Sequence, residues 1–207
     1  MAATDRTKVR RHPERGAYDR EPIDAILDEA LICHVGFVVD GQPFVIPTIH
    51  ARAGDVLYLH GSSASRMMRT VAGGVDVCVT ATLLDGIVLA RSVYNSSMNY
   101  RSAVVLGRAR EVVDPDEKLT ALETIVEHIA PGRWADARSP NRKELKATSV
   151  LALPLNEASA KIRTGPPTDF DEDLDLPVWA GVIPLRLVAD PAESAVDGLP
   201  LPPYLRD

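Results

Sequence analysis

The chain has 207 residues, 45% of them apolar and 25% charged, with 23 basic against 29 acidic side chains for a net charge of −6. At about 150 residues per domain this predicts one domain with a real core, and it excludes disorder over the whole length. The acidic balance excludes nonspecific binding to nucleic acid or to an anionic membrane, which net positive charge carries.

Residues 1–20 read as a polar, basic arm, either a solvated tail or a strap over a partner subunit. Pro22 fits the first turn of a helix, and Ile23, Ile26, Leu27 and Ala30 continue it at helical spacing over 22–30. Leu31–Val39 is a β-rich run, Asp40-Gly41 is a strong hairpin signal, and the chain returns as Pro43–Ala53. A turn at Ala53-Gly54-Asp55 leads into Val56–His60, completing a three-strand meander.

Gly61-Ser62-Ser63-Ala64-Ser65 is a small-residue loop before a short helix at Arg66–Val71, which Gly73-Gly74 stops. Val75–Leu83 and Ile87–Arg91 read as a second hairpin around Asp85-Gly86. Val93–Tyr100 is a polar loop and Ser102–Val113 a long strand. Asp114 caps a helix whose apolar stripe is Leu119, Leu122, Ile125, Val126 and Ile129, ended by Pro131-Gly132. Residues 133–147 are mostly helical; Ser149–Leu155 and Ser159–Thr164 are strands. The acid-rich stretch Thr168–Asp175 is an exposed loop, Val178–Leu185 is the last apolar segment, and the tail from Val188 is irregular.

The expected organisation is an arm (1–20), one domain (21–187) and a tail (188–207). Hairpins imply antiparallel pairing, and no βαβ rhythm is present. The fold class is therefore mainly β: a closed or partly open antiparallel barrel with peripheral helices. Cys33 and Cys78, each in an apolar run, read as buried free thiols with no disulfide or zinc site. The N-terminal stretch has no apolar segment of a secretory leader, and Leu31–Val39, broken by His34, is far shorter than the ~20 residues of a membrane span. A cytoplasmic protein is expected.

Four segments have the residue types of a binding site. In Tyr58–Arg66 a strand ends, small residues turn the chain and a helix begins, with Arg66 adding a charge suited to phosphate. Thr48 and His50 share one face of the strand Pro47–His50, beside Ile49. Tyr100-Arg101-Ser102 opens a long strand, and Trp179 stands among small residues as a possible flat wall. The catalytic inventory is otherwise thin. No GxSxG elbow, HExxH, Rossmann or P-loop motif occurs. His34 reads as a core or wall residue and His128 as structural. Such a chain suits chemistry carried by a bound cofactor.

In order and spacing, RHPERGAYD, DGQPFVIPTIH, LYLHGSSASRMMR, YRSAVVLGRAREV, SAKIRTGPP and PVWAGVIPL resemble the pyridoxamine 5'-phosphate oxidase-like flavoproteins, nearest the nitroimidazole-resistance branch. The resemblance covers about residues 10 to 187. It implies a six-stranded antiparallel split barrel, working as a homodimer with two FMN sites at the subunit interface. It implies that Ser62, Ser63, Ser65 and Arg66 hold the FMN phosphate and that Pro47, Thr48, Ile49 and His50 run along the isoalloxazine. Arg101 and Ser102 approach from a neighbouring strand, and Trp179 comes from the partner subunit. His60, at the place of an active-site histidine of the nitroimidazole-resistance branch, is the residue expected to touch flavin or substrate. The chain departs from the oxidase pattern at Met67, where the oxidases have lysine, and after Trp179, where it lacks their histidine. Pyridoxamine phosphate is thus not the expected substrate. The implied function is an oxidoreductase passing electrons from a reduced nicotinamide through FMN to a small flat acceptor. The alternatives are a non-catalytic flavin carrier or redox sensor, a haem-binding barrel using His50 or His60, and a barrel for the deazaflavin F420.

Overall fold

The computed structural model describes residues 3–205. Helix α1 (Arg20–Glu29) forms because Ile23, Ile26 and Leu27 recur on one face, and all three are buried. It leads into β2 (Ile32–Val39), where Cys33, Val35 and Phe37 point inward. By the same alternation His34 faces out and is exposed, so it is not a core residue as expected from its apolar neighbours. Asp40 and Gly41 both take positive φ, +50° and +79°, which a two-residue hairpin turn demands. The chain returns as β3 (Gln42–Ala53), turns at Gly54 and continues as β4 (Val56–Ser62). Helix α2 (Arg66–Ala72) follows and buries Met67, Met68 and Val71.

The next segment corrects the hairpin expected at Asp85-Gly86. Residues 76–89 form one strand, β5 (Asp76–Leu89), with a bulge between Leu84 and Gly86. The turn signal loses because both edges of the strand past the bulge are paired. One edge meets β6 (Ser97–Arg108) and the other meets β10 (Gly181–Pro184), which arrives from about a hundred residues downstream. Because β6 begins at Ser97, the loop ahead of it is shorter than the expected Val93–Tyr100. The single strand expected over Ser102–Val113 breaks at Ala109, leaving β7 (Arg110–Glu111) as a separate two-residue strand.

Helix α3 (Pro115–Ile129) starts where Asp114 accepts hydrogen bonds from the N–H groups of Asp116 and Glu117, at 3.1 and 2.8 Å. Helix α4 (Arg133–Asp136) and α5 (Arg142–Ala147) lead to β8 (Thr148–Pro154) and β9 (Ala158–Arg163).

Strand β1 (Gly16–Ala17) pairs with β9, so the N-terminal arm is part of the fold rather than a solvated tail. Arg6 and Thr4 both donate to Glu157, and Thr7 is buried. The strand order is β1-β9-β6-β5-β2-β3-β4-β8-β7, with β10 on β5, all antiparallel. This is a mainly β, split-barrel architecture. The described residues hold ten strands in all, two of them only two residues long, and the ladder of pairs does not close.

The main core joins the fully buried Leu57, Leu59, Leu151 and Leu153 to the buried side chains of α1 and α2. A smaller cluster of Ala51, Tyr58, Val150 and Ile125 packs α3 onto β3, β4 and β8. Cys33 is buried, which pushes its thiol pKa up to about 12, while Cys78 is only half-buried; both are free. The acid-rich stretch is exposed except at the half-buried Asp169 and Asp173, and the Asp169 carboxylate accepts from the Arg91 backbone N–H and guanidinium at 2.8 and 2.7 Å. The tail from Val188 is irregular apart from one turn of 3-10 helix at Pro203–Leu205.

Candidate functional site

The split is a matter of register. Strands β3 and β4 pair only where His50–Ala53 meet Val56–Leu59. Residues 42–49 of β3 keep their partner on β2 but have none on the other edge. Residues 60–62 of β4 likewise pair only with β8. Beyond this point the facing edges of the two strands are unpaired, an opening in the ladder that leads to the loop 63–65 and the start of α2.

Pro47 stands exposed along this opening, with Thr48 and Ile49 half-buried on one side and His60 on the other. Ser62, Ser63 and Arg66 are exposed at its mouth and Ser65 is half-buried. Ser65 is the N-cap of α2 but makes no side-chain cap bond, so its hydroxyl is not used by the helix. The Arg66 guanidinium forms no ion pair among the described residues and lies 5.0 Å from the Phe44 ring centroid across the opening. Phe44 was not among the residues singled out from sequence. Its signal was its place on the inner face of β3, two residues before Ile46.

Burial lowers the pKa of His60, so its imidazole is neutral near neutral pH, and its Nδ1 is buried without a hydrogen-bond partner. A neutral ring with an unsatisfied nitrogen is able to hydrogen-bond or ligate a group placed in the opening.

The structure does not bring every expected residue to this place. His50 is fully buried, and its Nε2 donates to the Leu27 carbonyl at 3.0 Å, closing the C-terminal end of α1. His128 does the same for Ala30 at 3.0 Å, as its structural reading predicted, and the two rings lie 5.5 Å apart. Thr48 and His50 do share a face, but it is the inner one, and at His50 that face is closed by α1.

Arg101 and Ser102 lie on β6, separated from β3 by β5 and β2. Arg101 donates to Asp85 at 2.7 and 3.0 Å and to Glu29 at 2.8 Å, so its charge is already balanced. Ser102 accepts from Thr82 at 3.3 Å. Trp179 is 64% exposed just ahead of β10, its ring over Gly181, where an added Cβ would meet the indole at 2.9 Å. No cluster of three or more His, Cys, Asp or Glu able to hold a metal occurs among the described residues. Nor is any helix among them long and apolar enough to cross a membrane.

An open antiparallel barrel with a polar, arginine-flanked split defines a class of cofactor-binding barrels. The chain belongs to the pyridoxamine 5'-phosphate oxidase family, whose model matches residues 19–162. The flavocytochrome Anf3 from Azotobacter vinelandii is 44% identical over 97% of this chain and 95% of its own, with a TM-score of 0.91. A FAD and heme binding protein from Mycobacterium smegmatis is 39% identical over 93% and 96%, with a TM-score of 0.86. A candidate 5-nitroimidazole antibiotic resistance protein from Bacteroides thetaiotaomicron is 26% identical over 71% and 86%, with a TM-score of 0.58. No curated protein matches the chain.

Proposed function

We propose that this chain is a flavin-binding oxidoreductase that carries electrons from a reduced nicotinamide to a small flat acceptor, with haem as a second prosthetic group. The observation that carries the reading is the split between β3 and β4, which sets an unpaired Arg66 and a neutral, half-buried His60 on one opening. The full-length similarity to a flavocytochrome and to a FAD and heme binding protein supports it. That similarity also favours FAD over the FMN that the sequence resemblance implied.

A flavin accepts a hydride and releases single electrons, and haem exchanges one. The residues present fit such groups. Arg66 offers a phosphate a charge that no carboxylate among the described residues has claimed, and Ser62, Ser63 and Ser65 offer hydroxyls beside it. His60 offers a neutral imidazole nitrogen, as a haem iron or a flavin carbonyl requires.

The test is an absorption spectrum of the protein as purified, followed by chromatography of the flavin released on denaturation. FAD together with a Soret band supports the whole reading, and FMN without a Soret band returns it to the flavin-only form. Retention of neither group sinks it. Arg66→Ala is expected to weaken flavin binding several-fold or more, because charge-assisted hydrogen bonds contribute about 1.5–3 kcal/mol. His60→Ala is expected to lower haem retention while leaving flavin in place.

We also propose that the protein works as a homodimer through the outer face of β2 and β3. Ile32, Val38 and Val45 are 52%, 53% and 64% exposed on that face, an apolar surface suited to a second copy. Val45→Arg is expected to turn a dimer into a monomer in size-exclusion chromatography with light scattering. A wild-type monomer would end the proposal.

A further inference from the structure

A second cleft lies at the other edge of the sheet, built around an arginine that the fold leaves without a counter-charge. Arg163 ends β9 and is 7% exposed. Among the described residues it makes no ion pair. Its polar partner is the Asn99 side-chain oxygen, to which its Nη1 donates. Asn99 in turn donates its Nδ2 to the Gly165 carbonyl at 3.1 Å. A guanidinium cannot shed its proton, so burying one against a neutral amide leaves a desolvated charge that attracts an anion.

The surroundings add to that charge. Arg163 lines a cleft of about 580 Å³ together with Arg11, Arg15, Asn95, Tyr94 and Phe170. Arg15 is close enough that its charge further disfavours the protonated form of Arg163. The carboxylates at hand are already engaged. Asp169 accepts from Arg91, and Glu14 faces His12 at 3.1 Å and Arg15 at 3.6 Å.

The cleft also has polar and aromatic groups with nothing to bind. Asn95 Nδ2 is buried and has no hydrogen-bond partner. The rings of Tyr94 and Phe170 stack with centroids 6.2 Å apart and planes 22° apart, and both side chains are exposed. The volume falls within the roughly 300–1,000 Å³ of small-ligand sites.

We propose that this cleft binds a nucleotide, with Arg163, Arg15 and Arg11 on phosphate oxygens and the Tyr94–Phe170 pair against the base. Arg163 and Arg11, with Arg15 shared with Glu14, suit a di- or triphosphate better than a carboxylate, and a stacked aromatic pair suits a planar base. The site goes beyond the flavin reading. The residues lining this cleft are none of those placed at the split, and β6, β5 and β2 stand between β9 and β3 in the strand order.

The experiment is calorimetric titration of the purified protein, with whatever cofactor it retains, using ADP, inorganic pyrophosphate and adenosine as probes. ADP is expected to bind more tightly than either fragment. Arg163→Gln is expected to weaken ADP about tenfold or more, with retained flavin unchanged. Because a buried substitution can disturb folding, Arg11→Ala, at the surface, serves as the second variant. It is expected to weaken ADP several-fold and to reduce the salt dependence of binding. Tyr94→Ala is expected to weaken ADP but not pyrophosphate.

Failure of ADP to bind the wild type would overturn the proposal, as would unchanged affinity in both arginine variants. Pyrophosphate binding as tightly as ADP, with no effect of Tyr94→Ala, would reduce the cleft to an anion site and overturn the nucleotide assignment. Loss of flavin from Arg163→Gln would place the cleft in the flavin site and overturn its independence.

Discussion

Replacing Leu59 by alanine is expected to cost about 3–5 kcal/mol of stability, the upper range for a leucine truncated in a rigid core. Leu59 is fully buried in β4, opposite His50 on β3 and Leu151 on β8. With strands on both sides and Leu57, Leu151 and Leu153 around it, the site has little freedom to collapse on the cavity. For a chain of this size each kcal/mol lowers the melting temperature by about 2–4 °C, so a fall of about 10 °C is expected. Val113→Ala, at an 82% exposed position just after β7, is the control and is expected to stay within about 0.5 kcal/mol of wild type. Urea unfolding of both variants checks the contrast. A loss below about 1 kcal/mol for Leu59→Ala would mean that the core does not grip β4 as described. The variant also bears on function, because Leu59 is the last β4 residue paired to β3 and His60 the first beyond it. A loosened β4 is expected to release flavin along with stability.

What could be read from the sequence was what neighbours decide. The Asp40-Gly41 hairpin, the Asp114 cap and the α1 stripe each depend on residues within one turn or one strand, and the structure has all of them. The bulge at Asp85-Gly86 has the opposite cause. The dipeptide carries a hairpin signal, but pairing of β10 to residues 86–89 straightens it into a bulge, and nothing near position 85 announces a partner at 181–184. The arm is a similar case. Its polar composition suggests a solvated tail, while Glu157, on the turn between β8 and β9, gathers Thr4 and Arg6. For the candidate site, the loop–helix segment around Arg66 and the position of His60 were legible as local motifs. That His50 is sealed under α1 depends on Leu27, on a different element, and only the fold shows it. Arg163 lies within the SAKIRTGPP run, but nothing in that run marks it as a binding residue. Its significance is a missing partner, which appears only when every surrounding carboxylate has been placed.

Arg101→Met is expected to destabilise the protein by about 1–3 kcal/mol at pH 7, and by much less near pH 4. Breaking a fully buried pair costs about 3–5 kcal/mol, and the partial exposure of Glu29 and Asp85 reduces that. In the wild type, hydrogen bonds from Arg101 hold the Glu29 carboxyl below its ordinary pKa. A carboxylate with a depressed folded-state pKa contributes stability that is present above its unfolded value of about 4.5 and is lost as pH falls through the folded value. Without the guanidinium, the influences left on Glu29 are burial and the charge of Asp85, and both favour its protonated form. The variant therefore carries two facing negative charges at neutral pH and sheds that repulsion on acidification. Urea unfolding of wild type and Arg101→Met at pH 7 and pH 4 measures the gap, and Arg101→Lys, which keeps the charge but loses the bidentate fork, should fall between them. An equal gap at both pH values would show that Arg101 acts through packing rather than charge. The comparison with Arg163 is then direct. One arginine has two carboxylates and is satisfied by the fold, so its removal is read in stability. The other has none among the described residues, so its removal should be read in the binding of an anion brought from outside.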